Sequence, residues 1–187
     1  NVYVLLAGDA PAYSNREGTG IYLSTAGRGP VQWMHMRGSV EKPEEVSSQY
    51  KLWWYPTAFA VDFTRPRRDV MWLVDMEVKG SWLATGVWKS ADGGFTWKRS
   101  TQFTHPTAIT IDPIDPSVVY AGGSWVTDGS WGNGGALYTT DGGATWKKNN
   151  DLPLTGNLYG VRPDPNDRDK LFYLFFGGGM MYGPKPR

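Results

Sequence analysis

The sequence contains no cysteine and only two histidines, His35 and His105. Without cysteine the chain can form no disulfide and carry out no thiolate chemistry, and two histidines disfavour a histidine-rich metal site. We therefore expect no metal and no cofactor. No Asn-x-Ser/Thr sequon occurs, so glycosylation gives no information about secretion.

Long hydrophobic runs and an excess of charge of one sign are also lacking. No run approaches the roughly 18 to 20 apolar residues that a membrane-spanning helix needs. The first residues lack the basic-then-apolar order of a signal peptide. The 19 basic and 18 acidic residues give a formal net charge of +1, which provides no long-range attraction toward nucleic acid or an anionic membrane. We expect a soluble chain with no nucleic-acid partner and no membrane span.

Glycine, proline and tryptophan are abundant, with 24, 13 and 10 copies in 187 residues. This composition is typical of many short strands joined by tight turns, with large aromatic surfaces to bury. The segment SADGGFTW, which begins at Ser90, returns about fifty residues later as TTDGGATW, which begins at Thr139. The segments TAFAVD from Thr57, TAITID from Thr107 and LYGVRPD from Leu158 keep nearly the same spacing.

Each unit of this repeat predicts four strands. The second series predicts a strand, an Asp/Pro turn and another strand, and the Asp-Gly-Gly segment then joins a third strand to a fourth. Four short antiparallel strands in about 50 residues are the pattern of a β-propeller blade. We therefore predict an all-β fold, a β-propeller of four-stranded antiparallel blades. The blade parts are residues 1–36, 57–99, 107–148 and 158–176, with no second domain.

The Asp-Gly-Gly segment is predicted to be a structural hairpin rather than a catalytic device. Gly93 or Gly94 can supply the positive φ that such a turn needs. The carboxylate of Asp92 can accept hydrogen bonds from turn amides. Trp97 is expected to pack between neighbouring blades.

The pattern S/T-x-D-x-G-x-T-W resembles the Asp-box (BNR) repeat of sialidases, xyloglucan-active glycoside hydrolases, sortilin-type receptors and photosystem II assembly factors. A degenerate third copy, residues 21–33, keeps Ser24 and Trp33 but has Ala26 in place of the aspartate. The segment IDPIDPSVVYAGG, from Ile111, strengthens the likeness to the xyloglucan-hydrolase type. The resemblance implies a propeller with a carbohydrate-active function. Two copies match at every defining position: Ser90, Asp92, Gly94, Thr96, Trp97, Thr139, Asp141, Gly143, Thr145 and Trp146.

The predicted ring is incomplete. Residues 1–7 and 170–176 both read as the second strand of a blade, so the chain carries about thirteen strands, a little over three blades. A propeller closes with about four to eight blades, because an open arc leaves sheet faces and edges unpaired. The remaining blades would lie in another polypeptide, in residues outside this chain, or in a second copy of it. We favour a cleaved or split propeller.

Strand direction sorts the connections of a blade onto two faces. The turns between the first and second strands and between the third and fourth emerge on one side, which we call the turn face. The other side, the long-loop face, receives residues 8–20, 37–56, 74–86, 100–106 and 122–135. Aromatic rings in these loops, to which Phe103 also belongs, suit a polysaccharide, because sugars stack on indole. The candidate substrate-binding residues are Tyr13, Trp53, Trp54, Tyr55, Trp82, His105, Trp125 and Trp131. Alternatively, Trp54, Trp82 and Trp125 fill gaps between blades.

Glycosidic hydrolysis generally requires two carboxyl groups beside the bond. Candidates on the long-loop face are Asp9, Glu17 and Asp128, with Asp75 and Glu77 also available. The arginine triad of sialidases is not evident, and neither catalytic aspartate of the xyloglucan hydrolases can be matched to a position here.

We therefore predict a glycoside hydrolase, or part of one, that is secreted or periplasmic and binds a polysaccharide or oligosaccharide. The alternative is a non-enzymatic Asp-box propeller that acts as a protein-binding or assembly scaffold.

Overall fold

The computed structural model describes residues 2–6, 20–24, 32–36, 39–40, 56–75, 86–103, 106–123, 126–127, 130–131, 135–152, 158–175 and 177–186. Within these residues the regular structure is β-strand throughout. The strands are β1 Val2–Leu6, β2 Gly20–Ser24, β3 Met34–Met36, β4 Ser39–Val40, β5 Pro56–Val61, β6 Met71–Asp75, β7 Gly86–Ser90, β8 Thr96–Thr101, β9 Pro106–Ile111, β10 Val119–Gly123, β11 Val126–Thr127, β12 Ser130–Trp131, β13 Gly135–Thr139, β14 Lys147–Lys148, β15 Leu158–Pro163, β16 Lys170–Phe175 and β17 Gly179–Pro184.

These strands form four successive antiparallel sheets, each of which is one blade. Blade 1 is β1–β2–β3, blade 2 is β5–β6–β7–β8, blade 3 is β9–β10–β13–β14, and blade 4 is β15–β16–β17. Within each blade, the strands pair in the order in which they occur along the chain. Each pair of adjacent strands is therefore joined by a hairpin or a loop. The predicted all-β fold of four-stranded antiparallel blades is confirmed.

The hydrophobic core lies in three layers between the blades. Met71 and Leu73 of β6 point toward blade 1, and Trp72 and Val74 point toward blade 3. All four side chains are essentially fully buried. A strand covered on both faces needs apolar residues at successive positions, which explains the uninterrupted run MWLV.

The first strands of blades 2, 3 and 4, which we call the inner strands, share one irregularity. The pairing of β5, β9 and β15 with the next strand shifts at Thr57, Thr107 and Tyr159, respectively. The Thr57 hydroxyl donates to the Pro106 carbonyl of blade 3 at 2.7 Å. The Thr107 hydroxyl donates in the same way to the carbonyl of Leu158 in blade 4. The bulge therefore aims a side chain at the next inner strand, and it links the blades.

The structure extends blade 4 beyond the end predicted from the sequence. Strand β17 pairs with β16 along its whole length, although the sequence predicted no strand after residue 176. Gly177 and Gly179, with φ of 73° and 80°, form the turn that leads into β17. The strand signal is weak because Met180 and Tyr182 are exposed. An edge strand that buries few side chains shows no clear alternation of apolar and polar residues.

Two short pairings were also not predicted. Strand β4 runs parallel to β8 and adds a fifth strand to the outer edge of blade 2. Strands β11 and β12 form a small hairpin within the connection from β10 to β13. Neither pairing changes the order of the four main strands in its blade.

Candidate carbohydrate-binding face

The described connections on the turn face are all short. Residues 62–70, 112–118 and 164–169 join the first strand of a blade to the second, and the two Asp-Gly-Gly turns follow β7 and β13. The longer connections, which include residues 76–85 and 124–134, leave the opposite ends of the strands. The alternation of strand direction therefore puts the Asp-Gly-Gly turns on one side and the connections 76–85 and 124–134 on the other.

The Asp-Gly-Gly turn after β7 is closed by a network of side-chain hydrogen bonds. Asp92 accepts bonds from the Thr96 amide at 2.9 Å, the Thr96 hydroxyl at 2.6 Å and the Ser90 hydroxyl at 2.8 Å. The Ser90 hydroxyl in turn accepts the amide of Gly94 at 2.8 Å. Ser90 is almost fully buried, so its hydroxyl satisfies a polar group that water cannot reach.

The turn after β13 repeats this network closely. Asp141 accepts bonds from the Thr145 amide at 2.9 Å, the Thr145 hydroxyl at 2.6 Å and the Thr139 hydroxyl at 2.7 Å. The Gly143 amide donates to the Thr139 hydroxyl at 2.9 Å. Two different sequences thus place the same donors and acceptors in the same positions.

These hydrogen bonds determine the protonation of both aspartates. The hydroxyl and amide of Thr145, followed by the Thr139 hydroxyl, lower the pKa of the Asp141 carboxyl. Burial acts to raise the pKa of Asp92, but hydrogen bonds from Thr96 and Ser90 bring it below its ordinary value. A general acid for glycoside hydrolysis needs a raised pKa instead. Neither aspartate is suited to that role.

The tryptophans that end the two turns lie against neighbouring blades. Trp97 is buried in the layer between blades 1 and 2, and its ring N–H donates to the Gly94 carbonyl at 2.9 Å. Trp146 meets Trp72 of blade 2 edge to face, with 5.9 Å between the ring centroids. The ring N–H of Trp146 also donates to the hydroxyl of Ser100, another residue of blade 2, at 2.9 Å. Both rings therefore hold adjacent blades together.

A second set of aspartates closes the turns between the first and second strands. The buried carboxylate of Asp112 accepts the Ile114 amide at 2.9 Å and the Lys185 ammonium at 2.6 Å. Burial acts to raise the pKa of Asp112, but Lys185 and the turn amides lower it. Asp164 accepts the Asn166 amide at 2.8 Å and the Tyr182 hydroxyl at 2.6 Å. Within the described part of the chain, no three His, Asp or Glu side chains cluster as metal ligands would.

Most of the candidate ligand-binding and catalytic residues lie outside the described residues. Trp131 belongs to β12, whose backbone pairs it with Val126, but its side chain also lies outside the description. Asp75 ends β6 and pairs with Gly86. The residues outside the description are Asp9, Tyr13, Glu17, Trp53, Trp54, Tyr55, Glu77, Trp82, His105, Trp125 and Asp128.

Phe103 belongs to the predicted aromatic residues of the long-loop face, and its side chain lies within the described residues. Its side chain is half-buried and packs against the layer between blades 2 and 3. It follows β8 by only two residues, so the backbone is still close to the blade at this point. Position in a loop alone does not separate a ligand-facing aromatic ring from one that extends the core.

A cavity of about 520 Å³ runs along the inner strands. Tyr3 and Phe59 line one end of it, and Thr110 and Arg162 line another part. The Arg162 guanidinium donates to the Thr110 hydroxyl and, at 2.9 Å, to the Val161 carbonyl. Sequence reasoning did not single out Arg162. The signal that could have found it is a charged residue in an inner strand. Arg162 of β15 stands at the position that Ala60 occupies in β5 and Thr110 in β9.

The described residues contain no helix long and apolar enough to cross a membrane. Neither a comparison with models of protein families nor a comparison with curated proteins finds a match.

Solved structures do resemble the chain. The GH74 xyloglucanase from Xanthomonas campestris matches 96% of this chain, with a TM-score of 0.59 and 15% sequence identity. An ancestral GH74 enzyme matches 64% of it, with a TM-score of 0.50 and 16% identity. The chain spans 27% and 16% of the lengths of these two proteins, respectively. At such identities the likeness concerns the fold, and it shows that this chain has a β-propeller fold related to that of GH74 enzymes.

Proposed function

We propose that the chain is part of a carbohydrate-active β-propeller, a glycoside hydrolase that binds a β-linked polysaccharide in a cleft across its long-loop face. The observation that carries the proposal is the structural match to a GH74 xyloglucanase over nearly the whole chain. Fold likeness alone leaves the chemistry of a site open. The distribution of side chains over the two faces supports the assignment further.

The turn face is unsuited to a polysaccharide cleft. Its aspartates are occupied by hydrogen bonds from their own turns, and its repeated tryptophans, Trp97 and Trp146, pack between blades. The opposite face carries the long connections, whose sequences hold Trp53, Trp125 and Trp131. Indole rings there can stack on the apolar faces of sugar rings.

The acid and base of the reaction are assigned to the same loops. Asp9, Glu17 and Asp128 are the proposed carboxyl groups, because the sequence places them in connections of the long-loop face. Asp92 and Asp141 on the turn face are unsuited to act as the general acid, because hydrogen bonds lower the pKa of each. The chain spans about a quarter of the matched xyloglucanase, so the proposal assigns one partner of the pair to this chain and the other to a blade that completes the ring. With a polysaccharide as the proposed substrate, a secreted or periplasmic location is part of the same proposal.

Tryptophan variants test the proposal. We expect Trp53→Ala, Trp125→Ala and Trp131→Ala each to weaken binding of a β-linked oligosaccharide such as a xyloglucan fragment, because each removes a stacking platform. Loss of one stacking contact predicts about a tenfold or smaller change in Kd per ring. Isothermal titration calorimetry measures the affinity, and circular dichroism checks that each variant folds.

The matched control is Trp33→Ala. Trp33 is 48% exposed and lies beside β3, at the end of the connection from β2. Its removal should leave oligosaccharide affinity unchanged. If all three long-loop variants bind as well as the parent protein, or if a stoichiometric protein partner is captured and no glycan binds, the polysaccharide assignment is wrong.

A further inference from the structure

A cleft of about 770 Å³ lies between blades 2 and 3 on the turn face. One wall is formed by β7 and β8 of blade 2, and the other by the Asp-Gly-Gly turn of blade 3, residues 141–144. The cleft is larger than the corresponding opening beside Tyr138 and Lys147 of blade 3, which is about 390 Å³. Its volume is typical of small-molecule sites. The proposed carbohydrate function makes no use of it.

Two lysines stand side by side on the blade 2 wall of this cleft. Lys89 of β7 pairs directly with Lys98 of β8, so both side chains leave the same face of the sheet, about 5 Å apart at their Cβ atoms. Like charges at directly opposed positions destabilise a sheet. Arg99 also lines the cleft, and Asp141 is the acidic side chain among the lining residues. The lining therefore carries an excess of positive charge.

The environment of Lys89 leaves its charge partly uncompensated. Lys89 is half-buried and makes no ion pair within the described part of the chain. Its ammonium donates to the Gly142 carbonyl at 2.6 Å and lies 5.1 Å from the centre of the Trp72 ring. Burial, followed by the charge of Arg65, lowers the pKa of Lys89, and the carboxylate of Asp141 opposes this shift. An ammonium has three donors, so donors remain for a ligand in the cleft.

The repeat shows that the fold does not require a lysine at this position. Aligning the two Asp-Gly-Gly hairpins places Tyr138 at the position of Lys89 and Lys147 at that of Lys98. Tyr138 is buried in the layer between blades 3 and 4. Blade 2 thus has a second cation where blade 3 has a buried ring. The desolvation of such a cation is unfavourable unless an anion accompanies it.

We propose that the cleft between blades 2 and 3 binds a small phosphate monoester, with the phosphoryl group between the ammonium groups of Lys89 and Lys98. A phosphate monoester carries about −1.5 to −2 charges at pH 7, which matches two ammonium groups better than a carboxylate does. Hydrogen bonds from an ammonium to a phosphoryl oxygen are charge-assisted and therefore strong. Ala91 and Gly142, small residues of the lining, leave room for the organic part of the ester.

Calorimetric titration of the intact chain, in a chloride buffer of low ionic strength, tests the ligand class. We expect glycerol 2-phosphate to bind and glycerol not to bind. Acetate should bind at least about tenfold more weakly, because its single charge compensates only one ammonium. Inorganic phosphate should bind about three- to tenfold more weakly than the ester, since it lacks the organic part. No binding of the ester at about 10 mM, or equal affinity for acetate or inorganic phosphate, would overturn the proposal.

Variants that remove one charge locate the site. Lys89→Met should weaken binding of glycerol 2-phosphate at least about tenfold, and Lys98→Met about three- to tenfold. The matched control is Lys147→Met, which removes the same charge from an exposed side chain at the position of Lys98 in blade 3. It should change the affinity less than about twofold. Equal effects of Lys89→Met and Lys147→Met would contradict the assigned site.

Thermal denaturation separates a binding role of Lys89 from a structural one. Without ligand, Lys89→Met should leave the melting temperature unchanged or raise it, because the variant removes a partly desolvated charge. Glycerol 2-phosphate should raise the melting temperature of the parent protein but not that of the variant. If Lys89→Met melts at a lower temperature than Lys147→Met without ligand, the lysine stabilises the fold and the proposal is wrong.

Other occupants of the cleft are outcomes that oppose the proposal. Glu41, Glu44 and Glu45 follow β4 in the sequence, and β4 pairs with the start of β8. If glutamine at all three positions raises the affinity for the ester at least about tenfold, the chain's own carboxylates compete for the cleft. If a phosphoserine peptide binds at least about tenfold more tightly than the ester, the ligand is a protein segment. Titration of Lys89→Met with a xyloglucan fragment should match the parent protein, so this site and the proposed carbohydrate function can fail independently.

Discussion

At the scale of single residues, the hydroxyl of Ser90 or Thr139 that begins each Asp-Gly-Gly motif both donates and accepts hydrogen bonds within its turn. Ser90 is buried, donates to Asp92 and accepts the Gly94 amide. Thr140, next to the equivalent Thr139, is exposed. The sequence predicted that Ser90 joins a local network. It could not reveal which hydroxyls are shielded from water, because shielding depends on blades that are distant in sequence.

Removal of the buried hydroxyl should measurably destabilise the protein. We expect Ser90→Ala to lower the free energy of unfolding by about 1–3 kcal/mol, because the buried Gly94 amide loses its acceptor. The exposed Thr140→Ala should change it by about 0.5 kcal/mol or less. Urea unfolding followed by tryptophan fluorescence compares the two. Equal stability of both variants would contradict the assigned role of Ser90.

At the scale of structural elements, the Asp-Gly-Gly turn of blade 3 contacts the sheet of blade 2 directly. Gly143, with φ of 92°, lies where an added Cβ would be 2.4 Å from the Trp72 ring and 2.5 Å from the Ser100 hydroxyl. The adjacent Gly142, with φ of 70°, would bring its Cβ no closer than 3.5 Å, to the Lys89 ammonium. Both glycines permit a left-handed backbone, but only Gly143 is also needed for close approach of two blades.

This difference gives a matched pair of alanine variants. Gly142→Ala should lower the free energy of unfolding by about 1 kcal/mol, the strain of a left-handed non-glycine residue. Gly143→Ala should lower it by at least about 2–4 kcal/mol, since overpacking against Trp72 is added to that strain. Thermal and urea denaturation measure both variants. If the two variants were equally stable, the turn would not pack against blade 2 as described.

The order of the blade strands could be predicted from the sequence. The edge strand β17 and the burial of loop residues could not. A repeat of Asp-Gly-Gly and Asp/Pro turns gives the order and direction of the main blade strands, because turn chemistry is local. Strand β17 was missed because Met180 and Tyr182 are exposed, and an exposed edge leaves no burial pattern. Phe103 was placed on the ligand face, although it packs on the core. Its partial burial depends on the layer between blades 2 and 3, which a loop sequence does not reveal.

At the scale of the whole molecule, one geometric rule connects fold and proposed function. Strands that alternate in direction place the Asp-Gly-Gly turns on one face and the long loops on the other. The same stacking leaves β1 with an open edge among the described residues. The sequence predicted both the sorting of loops and an incomplete ring. The sequence also read residues 1–7 as the second strand of a blade, and the register of β1 against β2 agrees with that reading.

The most direct test of this account is a crystal structure of the chain with a bound β-linked oligosaccharide. We predict four blades stacked about a common axis, with the sugar on the face formed by residues 41–55, 76–85 and 124–134, against at least one of Trp53, Trp125 and Trp131. A sugar bound among the Asp-Gly-Gly turns, or tryptophan loops spread over both faces of the molecule, would contradict it.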